Sequence, residues 1–144
     1  GITTSYLRAG SLGSDVTTIE GCSETAAIAK KNWEQLGYNN ISQHIGNFDD
    51  LLPELLLTTQ ALDFVFFDGN HRKQPTLDYF YRCLEKSHEK SVFVFDDIYW
   101  SDEMKEAWEE IKANERVSVT IDLFFVGIVF FRKGQAKEDF VIRF

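Results

Sequence analysis

Residues 62–71, LDFVFFDGNH, constrain this chain more than any other stretch. Five of the first six residues are apolar: Leu62, Phe64, Val65, Phe66 and Phe67. A run of that length and composition, bounded by turn residues, reads as a strand. Near-continuous apolarity predicts a central strand buried on both faces, as in a parallel sheet covered by helices. The run then changes abruptly to Asp68, Gly69, Asn70 and His71. Gly69 is expected to supply the sharp turn where the strand leaves the sheet.

The rest of the chain alternates in kind. A short helix is expected over residues 2–9, then a β-branched strand, VTTIE, at Val16–Glu20. Ser23 is the expected N-cap of a helix whose apolar residues Ala26, Ala29, Trp33 and Leu36 recur at helical spacing. Gly37 should stop it. A short strand at 41–45 precedes a helix over 49–57, where Pro53 blurs the start. After the opening strand, Leu77, Phe80, Tyr81 and Leu84 give a helix its apolar face. SVFVF at 91–95 is a further buried strand, ending at Asp96-Asp97. Ser101 should cap a helix with Met104, Ala107, Trp108 and Ile111 inside. Two strands follow at 117–123 and 126–132, and FVIRF at the end reads as an edge strand.

Strands alternating with helices imply βαβ crossovers and a doubly wound, mainly parallel α/β sheet. The closing strand pair breaks the alternation, so an antiparallel strand is expected near the C-terminus. The 144 residues fit one domain, 44% apolar and 15% aromatic, enough for a packed core. No apolar run approaches the roughly 20 residues of a membrane span, and the start does not read as a secretory signal. A cytoplasmic protein is the expectation. Lys and Arg total 15 against 23 Asp and Glu, so 15 − 23 = −8. That charge argues against nucleic acid and anionic membranes as partners. Lys30-Lys31 and Arg132-Lys133 are short basic pairs that read as solvated surface. Cys22 and Cys83 lie far apart and outside any CxxC pair, which reads as two free thiols.

In an open α/β sheet, ligands bind beyond the carboxyl ends of the strands. Four strands end there in polar residues: Glu20-Gly21-Cys22, Gly46-Asn47-Phe48, Asp68-Gly69-Asn70-His71 and Asp96-Asp97. Glu20 is placed to accept ribose hydroxyls, provided one strand precedes Gly1; otherwise it is a solvated carboxylate. Asp68, Asp96 and Asp97 would repel one another unless protons or a cation intervene. A divalent cation such as Mg²⁺ fits an all-oxygen set, and helix capping is the competing role. His71 could serve as a base or a substrate contact, or as an ordinary loop residue. Tyr99 and Trp100 could wall a flat substrate or pack under the loop.

The pattern GITTSYLRAG…VTTIEG…GNF…LDFVFFDGNH…SVFVFDDIYW resembles class I S-adenosylmethionine-dependent methyltransferases, in particular the bacterial O-methyltransferase-like branch. The resemblance covers essentially the whole chain and rests on the order and spacing of individually weak motifs. It implies a Rossmann-like methyltransferase domain over residues 1–144 and S-adenosylmethionine as cofactor. It implies that Glu20, with Gly21, binds the adenosyl ribose, and that Asn47 and Phe48 lie against adenine. Many relatives carry an acid where Asn47 stands. Asp68 would lie near the methionine part of the cofactor or bind metal; in metal-dependent members, residues at the positions of Asp68, Asp96 and Asp97 hold a divalent cation. Methyl transfer to the hydroxyl of a small molecule is the implied reaction; from their place at the rim, His71 and Asp68 are the expected catalytic residues.

Family members carry a first strand and a glycine-rich loop ahead of the helix that is ITTSYLRAG here. The expectation is therefore an N-terminally truncated domain that lacks the first strand and binds cofactor poorly. Strand edges left unpaired invite association, and a homodimer is expected on that ground. Two other classes remain open. A NAD-dependent oxidoreductase would need a GxGxxG run, which this chain does not contain. A non-catalytic Rossmann-like binding or interaction domain needs no intact cofactor loop.

Overall fold

The computed structural model describes residues 1–11 and 13–144. The chain divides into two compact units, Gly1–Leu57 and Thr58–Phe144. The first holds α1 (Ile2–Gly10), β1 (Val16–Glu20), α2 (Ser23–Gln35), β2 (Ile41–Ile45) and α3 (Phe48–Thr58). The second holds β3 (Leu62–Phe67), α4 (Lys73–Leu84), β4 (Ser87–Asp96), α5 (Asp102–Ala113), β5 (Val119–Asp122), β6 (Val126–Phe130) and β7 (Glu138–Val141). Among the described residues no helix is long and apolar enough to cross a membrane.

In the first unit β1 and β2 pair in parallel, from Val16 opposite Ile41 to Glu20 opposite Ile45. Helix α2 supplies the inner face through Ala26, Ala29 and Trp33. The Trp33 indole donates to the Gly1 carbonyl at 3.1 Å, and Gln43 donates to the Ala26 carbonyl at 3.0 Å. The N-cap position of α2 is Cys22 rather than Ser23, which is already helical. At its other end Gly37 takes φ +74°, while Tyr38 and Gly37 N–H groups donate to Trp33 and Glu34 carbonyls. That is a Schellman ending, and it needs a residue tolerant of the left-handed region. Helix α3 begins at Phe48 despite Pro53 inside it, because the Asn47 side chain accepts from Asp49 N–H at 3.1 Å.

In the second unit five strands run in the order β3-β4-β6-β5-β7. The β3–β4 and β5–β7 pairs are parallel, whereas β6 is antiparallel to both of its neighbours. The α/β class, the parallel pairs and the late antiparallel strand are as expected. The position of β3 is not. It is the terminal strand of its sheet, and Asp63 and Phe64 are exposed. A strand paired on one side only cannot bury both faces to the degree its composition suggested. The buried central strand is β4, between β3 and β6, with Phe93 and Phe95 at 0% and 1% exposure. Phe95 stacks on Phe67 with ring centroids 4.4 Å apart, and Phe93 meets Phe131 edge-on at 4.8 Å. Phe80 of α4 and Trp108 of α5 close the same core. Gly127 in β6 is required by packing, since a Cβ there would lie 2.7 Å from the Trp108 ring.

Candidate active site

The rim of the second unit forms where β3 and β4 end side by side, Phe67 opposite Phe95. The next residues are Asp68 and Asp96-Asp97, so the parallel register itself brings the carboxylates together. The following loop returns His71 toward them. Its Nε2 lies 3.8 Å from Asp68 Oδ1 and 3.9 Å from Asp97 Oδ2. These distances exceed a direct hydrogen bond but keep the imidazole within ion-pair range of both acids. The His71 side chain is 27% exposed, and its ring lies 6.4 Å from that of Trp100. Trp100 itself is 71% exposed.

The backbone at this rim is unusual in three places, Asn70, Asp97 and, after β5, Phe124. Asn70 and Asp97 adopt φ +53° and +54°, the left-handed region that few non-glycine residues occupy. The chain bends at Gly69, as expected, and Asn70 after it takes the left-handed conformation, which a short amide side chain tolerates. The Asn70 side chain donates to the Tyr79 hydroxyl at 3.3 Å and so fixes the loop to α4. Helix capping does not explain the acids. Ser101 caps α5 by accepting from Met104 N–H at 3.2 Å, and the N-cap position of α4 is Arg72.

Burial, followed by the neighbouring charges of Asp68 and Asp97, raises the Asp96 carboxyl pKa above its ordinary value. A cation shared by three carboxylates would need them converging on one point. Among the described residues no three His, Cys, Asp or Glu side chains are arranged to hold a metal ion. At Asp68 and Asp97 the imidazole of His71 already occupies the space between the two carboxylates. The residues therefore do not fit the expected divalent cation.

A second cluster on this rim escaped the sequence reading. Asp122 ends β5 and is 4% exposed. It accepts from the Tyr99 hydroxyl at 2.5 Å, from Phe124 N–H at 2.8 Å and from Arg143 Nη1 at 3.0 Å. Burial pushes its carboxyl up, but these hydrogen bonds outweigh that and hold its pKa below the usual value. The network holds Phe124 at φ +76°, stacked on Tyr99 with centroids 5.6 Å apart. Tyr99 thus packs within the rim, while Trp100 is largely exposed beside His71. The only signal in the sequence was a lone acid at the end of an antiparallel strand, where ligand sites are not usually sought.

In the first unit, Glu20 ends β1 and its Oε1 accepts from Cys22 N–H at 2.9 Å. Gly46 N–H donates to the Glu20 carbonyl at 3.0 Å, tying the ends of β1 and β2 together. Gly21 has no atom but a Gly46 carbonyl within 4 Å of where a Cβ would stand. Asn47 is exposed and Phe48 half-buried at the start of α3. A half-buried acid at a strand end, beside an open glycine turn, suits a hydroxyl-bearing ligand.

Parallel strand pairs with acids at their carboxyl ends define an α/β protein of the Rossmann-like kind. Residues 1–98 match the family model described as a methyltransferase domain, and the chain belongs to that family. Among solved structures it is similar to an O-methyltransferase from Bacillus cereus in complex with SAH. Identity is 24%, over 83% of this chain and 64% of that one, with a TM-score of 0.67. It is also similar to the O-methyltransferase TomG from Streptomyces achromogenes, involved in tomaymycin synthesis and solved with SAM. There identity is 22%, over 85% of this chain and 64% of that one, with a TM-score of 0.71. Cofactor-bound Rv0187 from MTB gives 17% identity, 92% and 68% coverage, and a TM-score of 0.74. At these identities the likeness establishes the fold. The chain spans 64% of the length of the first two of these proteins. No curated protein matches its sequence.

Proposed function

We propose that the protein is an S-adenosylmethionine-dependent methyltransferase acting on a hydroxyl group of a small molecule. The observation that carries the reading is the imidazole of His71 set between Asp68 and Asp97 at the carboxyl ends of a parallel strand pair. Membership of the methyltransferase-domain family and the SAM- and SAH-bound neighbours support the cofactor.

S-adenosylmethionine supplies a methyl group made electrophilic by its sulfonium. Glu20 would accept hydrogen bonds from the ribose hydroxyls, with Gly21 giving room for close approach, Asn47 and Phe48 would contact the adenine, and Asp68 would serve the methionine end. His71 Nε2, set between the carboxylates of Asp68 and Asp97, would take the proton of the acceptor hydroxyl.

Thermal shift and calorimetry test the cofactor, because a ligand that binds only the native state raises its apparent stability. S-adenosylhomocysteine should stabilise the chain and Glu20→Ala should abolish that effect, while NAD should do nothing. Stabilisation by NAD alone would sink the proposal. His71→Ala should lower methyl transfer by roughly 10²–10⁴-fold, the usual contribution of a positioned proton acceptor, and leave S-adenosylhomocysteine binding unchanged.

A further inference from the structure

Away from the rim, cations gather at the other end of the five-stranded sheet. Strand β6 runs antiparallel to β4, and the pair ends with Val92 opposite Phe130. Two residues beyond that pair stand Lys90 on one strand and Arg132 after the other, with Lys133 next to Arg132. Together with Glu89, Gly134 and Gln135 they line an open groove of about 340 Å³. Lys90 is separated from Asp96 by about 20 Å of strand, at ~3.3 Å per residue. The groove is therefore distinct from the rim with His71.

These charges are unpaired in a chain rich in acids. With 23 Asp and Glu against 15 Lys and Arg, carboxylates are plentiful. Lys73, Lys105, Lys112, Arg116 and Arg143 each have one as an ion-pair partner. Among the described residues no carboxylate pairs with Lys90, Arg132 or Lys133, although Glu89 lines the same groove. Like charges brought together across an antiparallel pair are destabilising, so their convergence costs the fold something. The turn beyond them adds donors. Gly134 takes φ +74° with nothing within 4 Å of its Cβ position. Among the described residues, the Lys133, Gly134 and Gln135 N–H groups take no part in backbone hydrogen bonding. Successive N–H groups in a turn form a concavity that receives anions.

We propose that this groove binds the phosphoryl group of a small phosphorylated molecule. Arg132 presents a planar fork suited to two phosphate oxygens, and Lys90 and Lys133 act as point charges. The turn N–H groups serve the remaining oxygen. Three cations and Glu89 give a local charge of 3 − 1 = +2, the complement of a phosphomonoester, which carries about −1.5 to −2 at neutral pH. The net charge of −8 repels an anionic membrane or a nucleic-acid backbone. A single small anion in the groove meets mainly the local cations, because charges beyond a Debye length of about 8 Å are screened.

Amide NMR of the isotope-labelled chain, titrated with inorganic phosphate at constant ionic strength, tests this. The Gly134 and Gln135 amides should shift saturably with phosphate and stay in place with chloride. Arg132→Gln should weaken phosphate binding roughly tenfold or more, the usual effect of losing hydrogen bonds to a charged group. Lys90→Gln should weaken it by a smaller factor. Both side chains are exposed, so amides elsewhere should keep their native positions. Flotation with phosphatidylglycerol vesicles distinguishes a lipid headgroup from a small molecule, and the chain should stay with the lipid-free fraction. Absence of a saturable shift would overturn the proposal. So would equal shifts at Lys30 and Lys31, affinity that both variants leave intact, or flotation with the vesicles. If Arg132→Gln fails to fold, Lys90→Gln and Lys133→Gln decide.

Discussion

In Gly1–Leu57 the buried apolar side chains are Ala26, Ala29, Trp33 and Leu56, while Ile2, Tyr6, Ile28, Leu36, Ile45 and Leu57 are each more than half exposed. In Thr58–Phe144 the buried set includes Phe80, Phe93, Phe95, Ile98, Trp108, Ile111 and Val129, each at 1% exposure or less. Twelve of the thirteen Phe residues lie in the second unit, and Phe48 alone in the first. The architecture adds to that difference. A two-stranded sheet offers little surface on which helices can bury a face, whereas five strands with α4 and α5 enclose a continuous aromatic cluster. Glu20, at the end of β1, therefore stands on the more lightly packed unit, and the rim with His71 stands on the heavily packed one. Positioning of a reacting group needs rigid support, and the second unit has it.

The two cysteines test the contrast with the largest expected effect. Cys83 on α4 is 1% exposed, and burial pushes its thiol up to about 12. Cys22 is exposed at the start of α2, where hydrogen bonds from the Thr25 side chain and from the backbone of Thr25 and Glu24 lower its pKa. The thiolate is the reactive form. Iodoacetamide at neutral pH should alkylate Cys22 on the order of a thousand-fold faster, given the separation of the two thiols on a logarithmic scale. Peptide mass mapping over time checks this. Equal rates in native buffer would mean that the second unit opens as readily as the first.

Glycine substitutions give the next largest effect and should differ in sign. A Cβ at Gly127 would meet the Trp108 ring at 2.7 Å and Ile98 at 3.1 Å, inside a core that cannot give way. Gly127→Ala should cost about 1–3 kcal/mol, the usual penalty of overpacking. Gly10, the last residue of α1, has nothing within 4 Å of its Cβ position. Gly10→Ala should be neutral or add about 0.4–1 kcal/mol through the unfolded chain. Urea melts of both variants measure the pair. A tolerated Gly127→Ala would show the β6–α5 contact to be looser than its geometry.

The sequence was legible where side-chain pattern and backbone pairing agree. The strands Val16–Glu20, Ile41–Ile45 and Leu62–Phe67 fall where β-branched and aromatic runs placed them. The strand read as 91–95 begins four residues earlier, at Ser87. Its polar start is held by bonds to the neighbouring strand: His88 to Asp63 at 3.0 Å, and Ser91 Oγ to the Leu62 carbonyl at 2.6 Å. No periodicity announces those. Strand β7 likewise begins at Glu138, before the apolar tail, because Asp139 accepts from the Thr120 hydroxyl. At the site, the acids after β3 and β4 were legible because a parallel sheet fixes where its strands end. The left-handed Asn70, the strained Asp97 and the Asp122 network were not. Each depends on a partner far away in sequence or on a dihedral that the residue type permits without demanding.

The smallest expected effects concern the rim acids, where the better-packed unit carries a cost. Burial and the charges of Asp68 and Asp97 raise the Asp96 pKa, so the folded state binds that proton more tightly than the unfolded chain does. Its ionisation then opposes folding above the folded pKa. The penalty fades as pH falls through that value and is gone below the unfolded value of about 3.9. Asp122 runs the other way. Its depressed pKa contributes stability above about 3.9, and this is lost as pH falls through the folded value. Asp96→Asn should therefore raise the melting temperature at neutral pH by roughly 1–4 °C, with the gain shrinking on acidification. Asp122→Asn should lower it at neutral pH, and that loss should narrow only below about pH 4. Melting curves from pH 3 to pH 8 measure both. If Asp96→Asn destabilised at every pH, Asp96 would be a structural acid like Asp122. The rim would then owe its carboxylates to packing, and the contrast between a supporting core and a costly site within the second unit would fall.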